Sequence, residues 1–278
     1  MATSTSADGT PPEMLEHYDA GVEAGRLASV GGGLELLRTQ EIVGRFLPPP
    51  PAVIYDVGGG PGIYSCWLAR LGYEVHLIDP VPLHVEQARE ASREQPETPI
   101  ASCHLGDARQ LKRDDSTVDA VLQLGPLYHL TERDDRIAAL REAARVTRPG
   151  GFVLAAAISR FASLLDGMVR GYISDPAFRA IMSEDLASGQ HRNPENRPHY
   201  FTTSYFHMPG ELGHEFEAAG LEHVQTLAVE GPAALIQRVG EQWDDASWRD
   251  QVLAAVREIE AEPALLGSSP HLLAIGRA

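Results

Sequence analysis

The sequence predicts an α/β fold: a mostly parallel sheet with helices packed on both faces. Three observations carry this expectation. Short apolar runs alternate with amphipathic helical stretches between Ala52 and Ile158, the first such run stops at a glycine-rich turn, and the residue balance is that of an ordinary globular chain, 43% hydrophobic and 22% charged over 278 residues. Strands that alternate with helices feed a parallel sheet, and a parallel sheet needs cover on both faces.

Taken in order, Met1 to Pro12 is rich in Ser, Thr, Ala and Pro and lacks a basic start followed by an apolar run, so it reads as a disordered tail and not as a secretory signal. Helices are expected over Pro12–Ala28 and Gly33–Phe46, the second stopped by the prolines from Pro48 to Pro51, which cannot continue a helix. Strand-type runs follow at Ala52–Val57, Glu74–Asp79, Ile100–Leu105, Ala120–Leu124 and Phe152–Ile158, with helices at Ile63–Leu71 and His84–Glu94 between them. Thr131 and Asp134 resemble a capping box ahead of a helix that puts Ile137, Leu140 and Ala144 on one face and stops near Pro149-Gly150-Gly151.

From Ser159 to Met208 the alternation lapses into helical pieces, one opening at Asp175-Pro176 and closing at Gly189, then a polar stretch rich in aromatics and histidine. Regular pattern resumes with a helix over Pro209–Ala219, a strand within Leu221–Val229, a helix opened by Ser247 with Asp250, and a last strand near His271–Gly276. The expected organisation is therefore a lead-in over residues 1–50, a ligand-binding core over 51–158, a lid over 159–208 and the remainder of the core sheet over 209–278.

Composition excludes several classes. A formal charge of -16, with no cluster of basic residues to offset it, repels nucleic acid. No stretch approaches the roughly 18 apolar residues of a membrane span. Lys112 is the single lysine and sits in a polar turn, which leaves Schiff-base chemistry without a suitable residue. Cys66 and Cys103 suit buried thiols in a reducing cytoplasm, and the eight-residue spacing of His191, His199 and His207 matches no compact metal-ligand motif, so no metal is expected.

The chemistry centres on Asp56-Val-Gly-Gly-Gly60-Pro-Gly62, where a strand turns into a helix. Glycines there let the backbone turn tightly and approach a ligand closely. A dinucleotide fingerprint needs G-x-G-x-x-G, whereas the glycines here fall at 58, 59, 60 and 62 and the position three beyond Gly60 is Ile63. Asp56 precedes the loop where a pyrophosphate would sit, and Pro61 removes an N–H that could bind it, so an anion is poorly served and a nicotinamide-dependent oxidoreductase becomes the weaker reading. A phosphate-free cation such as S-adenosylmethionine suits the acid better. Asp79 ends the second strand about 20 residues on, placed to accept ribose hydroxyls, and Asp107 follows the third, placed to accept from an adenine amino group.

Asp56-x-Gly58-x-Gly60-x-Gly62, Asp79, Gly106-Asp107 and Arg148-Pro149-Gly150-Gly151 together resemble the class I S-adenosylmethionine-dependent methyltransferases. The resemblance implies a Rossmann-like fold with a seven-stranded sheet, its last strand antiparallel, and S-adenosylmethionine converted to S-adenosylhomocysteine. Its implied cofactor contacts are Asp56, Gly58, Gly59, Gly60, Gly62, Asp79, Pro80, Asp107, Ala108 and Leu124, with Tyr18 and Arg26 closing from the lead-in helix. Leu122 to His129 follows the fourth strand, which in the family borders the transferred methyl, so Tyr128 and His129 are candidate catalytic residues. His199 and His207 join them as candidate bases from the lid, since histidine titrates near neutral pH. Segments around Tyr18–Leu27 and Gly189–His207 are similar to a subgroup of bacterial small-molecule methyltransferases. The expected partner is a small-molecule methyl acceptor, methylated at O, N or C, for a monomer or homodimer in the cytoplasm. A non-catalytic module that binds S-adenosylmethionine is the alternative.

Overall fold

A computed structural model describes Tyr18, residues 32–197 and residues 199–278. The expected tail, most of the helix over Pro12–Ala28, and Arg26 lie outside the described residues. Helix α1 spans Gly32–Phe46 and leads into β1 (Val53–Val57), α2 (Ile63–Arg70), β2 (Glu74–Asp79), α3 (Pro82–Arg93), β3 (Ser102–Leu105) and β4 (Val118–Gln123). One turn of helix, α4 (Pro126–His129), then precedes α5 (Arg133–Val146) and β5 (Thr147–Ser159). The insertion holds α6 (Ala162–Arg170), α7 (Pro176–Ser188) and the short strands β6 (Gln190–His191) and β7 (Ser204–His207). The chain closes with α8 (Glu211–Ala219), β8 (Glu222–Ala228), α9 (Gln237–Glu241), α10 (Ala246–Ile259) and β9 (His271–Arg277).

The main strands lie in the order β3-β2-β1-β4-β5, all parallel, and β9 pairs antiparallel with β5 and with β8. These form the expected seven-stranded Rossmann-like sheet with its last strand reversed. Two further strands were not foreseen: β7 pairs parallel with the tip of β5, and β6 pairs with β7, so the sheet has nine strands. They are two and four residues long in a polar segment, too short to show an alternating pattern.

Alternation along each strand sends side chains to two separate cores. Ile54, Leu77, Leu122, Leu154 and Leu273 pack on one face, and Tyr55, Val57, Val121, Val153 and Ala274 on the other. Two caps differ from expectation. Thr131 does not cap α5, because the helix starts one residue later and its N-cap is Glu132, which makes no side-chain capping bond; the Thr131 carbonyl accepts from Arg136 and Gln190. Helix α10 is capped by Asp245, which accepts from the amides of Ser247 and Trp248, two residues ahead of the expected Ser247.

Helix α1 is clamped to the far end of the sequence. Arg38, fully buried, donates to Glu260 and to the Val229 carbonyl, and Arg45 donates to the same Glu260 at 2.5 and 2.9 Å. That network fixes the face of α1 carrying Glu35 and Thr39 against the ends of β8 and β9. Among the described residues, no helix is long and apolar enough to cross a membrane.

Candidate active site

Parallel strands end together, and the loops leaving β1, β2, β3 and β4 converge on one cavity at that edge. The turn after β1 is held by backbone geometry. Gly58, Gly60 and Gly62 have φ of 73°, 55° and 88°, a region that costs a residue with a Cβ about 1 kcal/mol or more. A Cβ on Gly58 would lie 2.6 Å from Cδ of Pro126, and one on Gly59 would lie 2.7 Å from Oδ2 of Asp56. At Gly60 a Cβ would meet open space.

Asp56 is fully buried at the end of β1. Its Oδ2 accepts from the Ser65 hydroxyl at 2.6 Å, whereas its Oδ1 is buried with no partner among the described residues. Burial pushes this carboxyl up to about 6, the Ser65 bond opposes the rise, and the charge of Asp79 adds to it. Asp79 is nearly as buried and fully engaged: Oδ2 accepts from the Gly60 amide at 2.9 Å, while Oδ1 accepts from the Val81 amide at 2.9 Å and lies 3.1 Å from His84 Nδ1. Two carboxylates thus face a cavity with little water around them.

The structure brings most of the sequence-predicted residues together. Asp56, Gly58, Gly59, Gly60, Asp79 and Pro80 line this cavity from the first two strand tips. Asp107, Ala108, Leu124, Tyr128 and His129 line it from the third and fourth, with Tyr18 closing above. The Tyr18 hydroxyl hydrogen-bonds His129 Nε2 at 2.7 Å, and Nδ1 of the same ring lies 3.4 Å from the Thr203 carbonyl. Both oxygens of Asp107 are taken by Arg109, whose guanidinium also reaches Asp135 at 3.0 Å.

Three candidates are placed differently. Gly62 does not line the cavity; it starts α2 and packs against Ala88, where a Cβ would approach to 3.1 Å. His207 is corrected: it is wholly buried in the core, its Nε2 3.3 Å from Glu215 Oε2 and its ring edge-on to Tyr205, and it lines neither cavity described here. Burial lowers its affinity for a proton. His199 is exposed and lines a second chamber instead.

That chamber lies under the insertion and shares Tyr18, Tyr128 and His271 with the first cavity. Its walls mix aromatic side chains with aliphatic ones and with Asp166 and Arg170: Tyr172, Phe178 and Tyr200 meet edge to face with centroids 4.9 to 5.5 Å apart, and Phe201 and Phe206 also line it. Buried His191 and Asp185 hold the insertion closed, His191 Nδ1 lying 2.9 Å from the carboxylate and Nε2 2.8 Å from the Tyr200 carbonyl.

Sequence reasoning missed Glu35, Thr39, His84 and His271, which also line the first cavity. No local pattern marks Glu35, Thr39 and His271, because α1 and β9 reach the site only through tertiary packing, whereas His84 stands five residues after Asp79 and contacts its Oδ1.

The segment from β1 to β5 matches a family model described as a methyltransferase domain over residues 55–155. The chain carries a methyltransferase domain over that segment. An uncharacterised methyltransferase of Mycobacterium tuberculosis is 33% identical to this chain over 111 residues, 40% of this chain and 42% of that protein. Methyltransferase GfsG of Streptomyces halstedii is 33% identical over 129 residues, 46% of this chain and 42% of its own length. The chain thus spans about two fifths of the curated relatives it matches. A crystal structure of an S-adenosylmethionine-dependent methyltransferase from Methanosarcina mazei superposes with a TM-score of 0.57 at 17% identity, covering 85% of this chain and 96% of the other, which speaks for the fold.

S-adenosylmethionine is the cofactor of this family, and the residues present fit it. An unpartnered buried carboxylate oxygen suits a cationic ligand, and the glycine turn carries no side chain at the point of closest approach.

Proposed function

We propose that the protein transfers a methyl group from S-adenosylmethionine to an O, N or C atom of a small molecule seated in the aromatic chamber. The observation that carries this is the shared wall: the cavity bearing the acids and the chamber under the insertion meet at Tyr18, Tyr128 and His271. Two reactants held in those spaces would meet there.

In this reading Asp79 holds the ribose, Gly58 to Gly60 lie along the methionine part, and Asp56 supplies negative charge facing the cation. Ala108 and Leu124 flank the adenine, and Asp107 positions Arg109 at its edge. The bound cofactor supplies an electrophilic methyl on a sulfonium. The chain supplies orientation and exclusion of water, which can lower a barrier by about 7 to 11 kcal/mol when alignment is good. Tyr18, hydrogen-bonded to His129, forms part of the partition between the two spaces and orients the acceptor. His199 stands at the chamber mouth.

The acidic charge supports a partner that is not nucleic acid, and in this reading the enzyme acts in the cytoplasm as a monomer or homodimer. Isothermal titration of the purified chain with S-adenosylmethionine and S-adenosylhomocysteine, followed by a product-release assay over phenols, amines and carbon acids, tests the proposal. Heat with both nucleosides and turnover with one acceptor class is expected. A folded chain that gives no heat with either would overturn it.

A further inference from the structure

One cluster at the shared wall has no role in the scheme above. Because β9 runs antiparallel to β5, its first residue lies where the parallel strands end: His271 pairs in register with Ile158 at the ligand edge. His271 Nδ1 lies 2.5 Å from Glu230 Oε1. Glu230 is itself buried, its Oε2 accepting from the Ser269 hydroxyl at 2.9 Å and from the His271 amide at 3.2 Å. The His271 side chain is 24% exposed, and the residue lines both the cofactor cavity and the acceptor chamber.

This is the arrangement of an oriented base: an imidazole whose Nδ1 is fixed by a buried carboxylate, with the ring at the boundary between two binding spaces. Neutral amines and carbon nucleophiles that already carry electron density attack without first losing a proton. A hydroxyl must lose one, so a dyad at this boundary matters most for oxygen. The chamber adds the second half of the argument, since walls of edge-to-face aromatics favour a planar aromatic ring.

Resting on the methyl-transfer reading, we propose that His271, oriented by Glu230, is the general base for methylation of a phenolic hydroxyl. The phenol O–H bond breaks and its proton passes to His271 Nε2. The phenol oxygen forms the new O–CH3 bond as the sulfur–methyl bond breaks, its electron pair staying on sulfur to give neutral S-adenosylhomocysteine. Glu230 stabilises the imidazolium, which then returns its proton to water. Among the described residues, the ionisable groups facing His271 include Glu230 from the loop after β8, Glu35 of α1 with Oε2 3.9 Å from Nδ1, and the Tyr18 and Tyr128 phenols. His271 is the catalytic residue and Glu230 a positioning one.

The test uses 4-nitrophenol with the full chain loaded with S-adenosylhomocysteine, at a pH where the free probe is mostly neutral; phenolate absorbance reads proton transfer without turnover. Wild-type protein is expected to bind the probe as phenolate. His271→Asn, which keeps a donor toward Glu230 but removes the base, should reduce that ionised fraction at least about tenfold when measured at saturating S-adenosylhomocysteine. Glu230→Gln should move the pH of probe ionisation upward, an effect that loss of packing alone would not give. EDTA should change none of these readings. A neutral bound probe, no bound probe, ionisation retained in His271→Asn, or a requirement for divalent cation overturns the proposal. Failure of wild-type protein to bind S-adenosylhomocysteine at all overturns the methyl-transfer reading instead.

Discussion

Asp79 accepts a hydrogen bond from the Gly60 amide at 2.9 Å, so the carboxylate at the tip of β2 holds the turn that leaves β1. One side chain thereby shapes the loop and faces the cavity. Asp79→Ala is expected to weaken S-adenosylmethionine binding severalfold or more, read by isothermal titration, and to lower the melting temperature because the Gly60 and Val81 amides lose their acceptor. Affinity equal to wild type would place the ribose elsewhere.

The raised carboxyl of Asp56 gives a pH signature. Its value of about 6 in the folded chain lies above its ordinary 3.8, so the folded state holds this proton more tightly than the unfolded one. The associated stability is complete below about 3.8 and is lost as pH rises to about 6, leaving a penalty on the order of 3 kcal/mol at neutral pH. Asp56→Asn should raise the melting temperature of the ligand-free protein at pH 7.5 and leave it nearly unchanged at pH 4. Binding of a cationic nucleoside to wild type should release a proton near pH 6, seen as a buffer-dependent heat. The same variant should show no such release.

Arg136 and Glu215 form a buried bidentate pair at 2.8 to 3.1 Å, with the guanidinium 3.8 Å above the Tyr205 ring and His207 beside the carboxylate. Removing one member strands the other. Glu215→Ala should cost about 3 kcal/mol or more, a fall of roughly 6 to 12 °C in thermal melts. His207→Ala should also act through stability, with acceptor KM unchanged; an altered KM at constant melting temperature would return His207 to the site.

Gly58→Ala combines a φ of 73° with a Cβ 2.6 Å from Pro126. Titration should show cofactor affinity reduced at least about tenfold with the fold retained by circular dichroism, since the strain falls on a loop and not on the core. Gly44→Ala, where a Cβ meets nothing within 4 Å, is the control that should behave as wild type.

Strands β1 to β5 and the glycine turn were legible because their signals are local: apolar runs, glycines at fixed offsets and an acid at each strand tip. The same holds for Asp56 and Asp79, which sit at the cavity their positions implied. Glu35 and His271 were not legible, since neither stands in a motif and only the Arg38–Glu260 clamp and the reversal of β9 bring them to the edge. His207 misled for the opposite reason. A histidine in an aromatic, polar segment resembles a functional one until its burial against Glu215 is seen. The paired strands of the insertion escaped notice because periodicity needs more residues than they contain.

The antiparallel return of β9 also sets an order in time. The ligand cavity takes walls from Glu35 and Thr39 and, far along the sequence from them, from His271 and Leu273, so no nascent chain can close it until β9 has left the ribosome. The nucleoside therefore meets a complete cavity only in chains whose β9 has already paired.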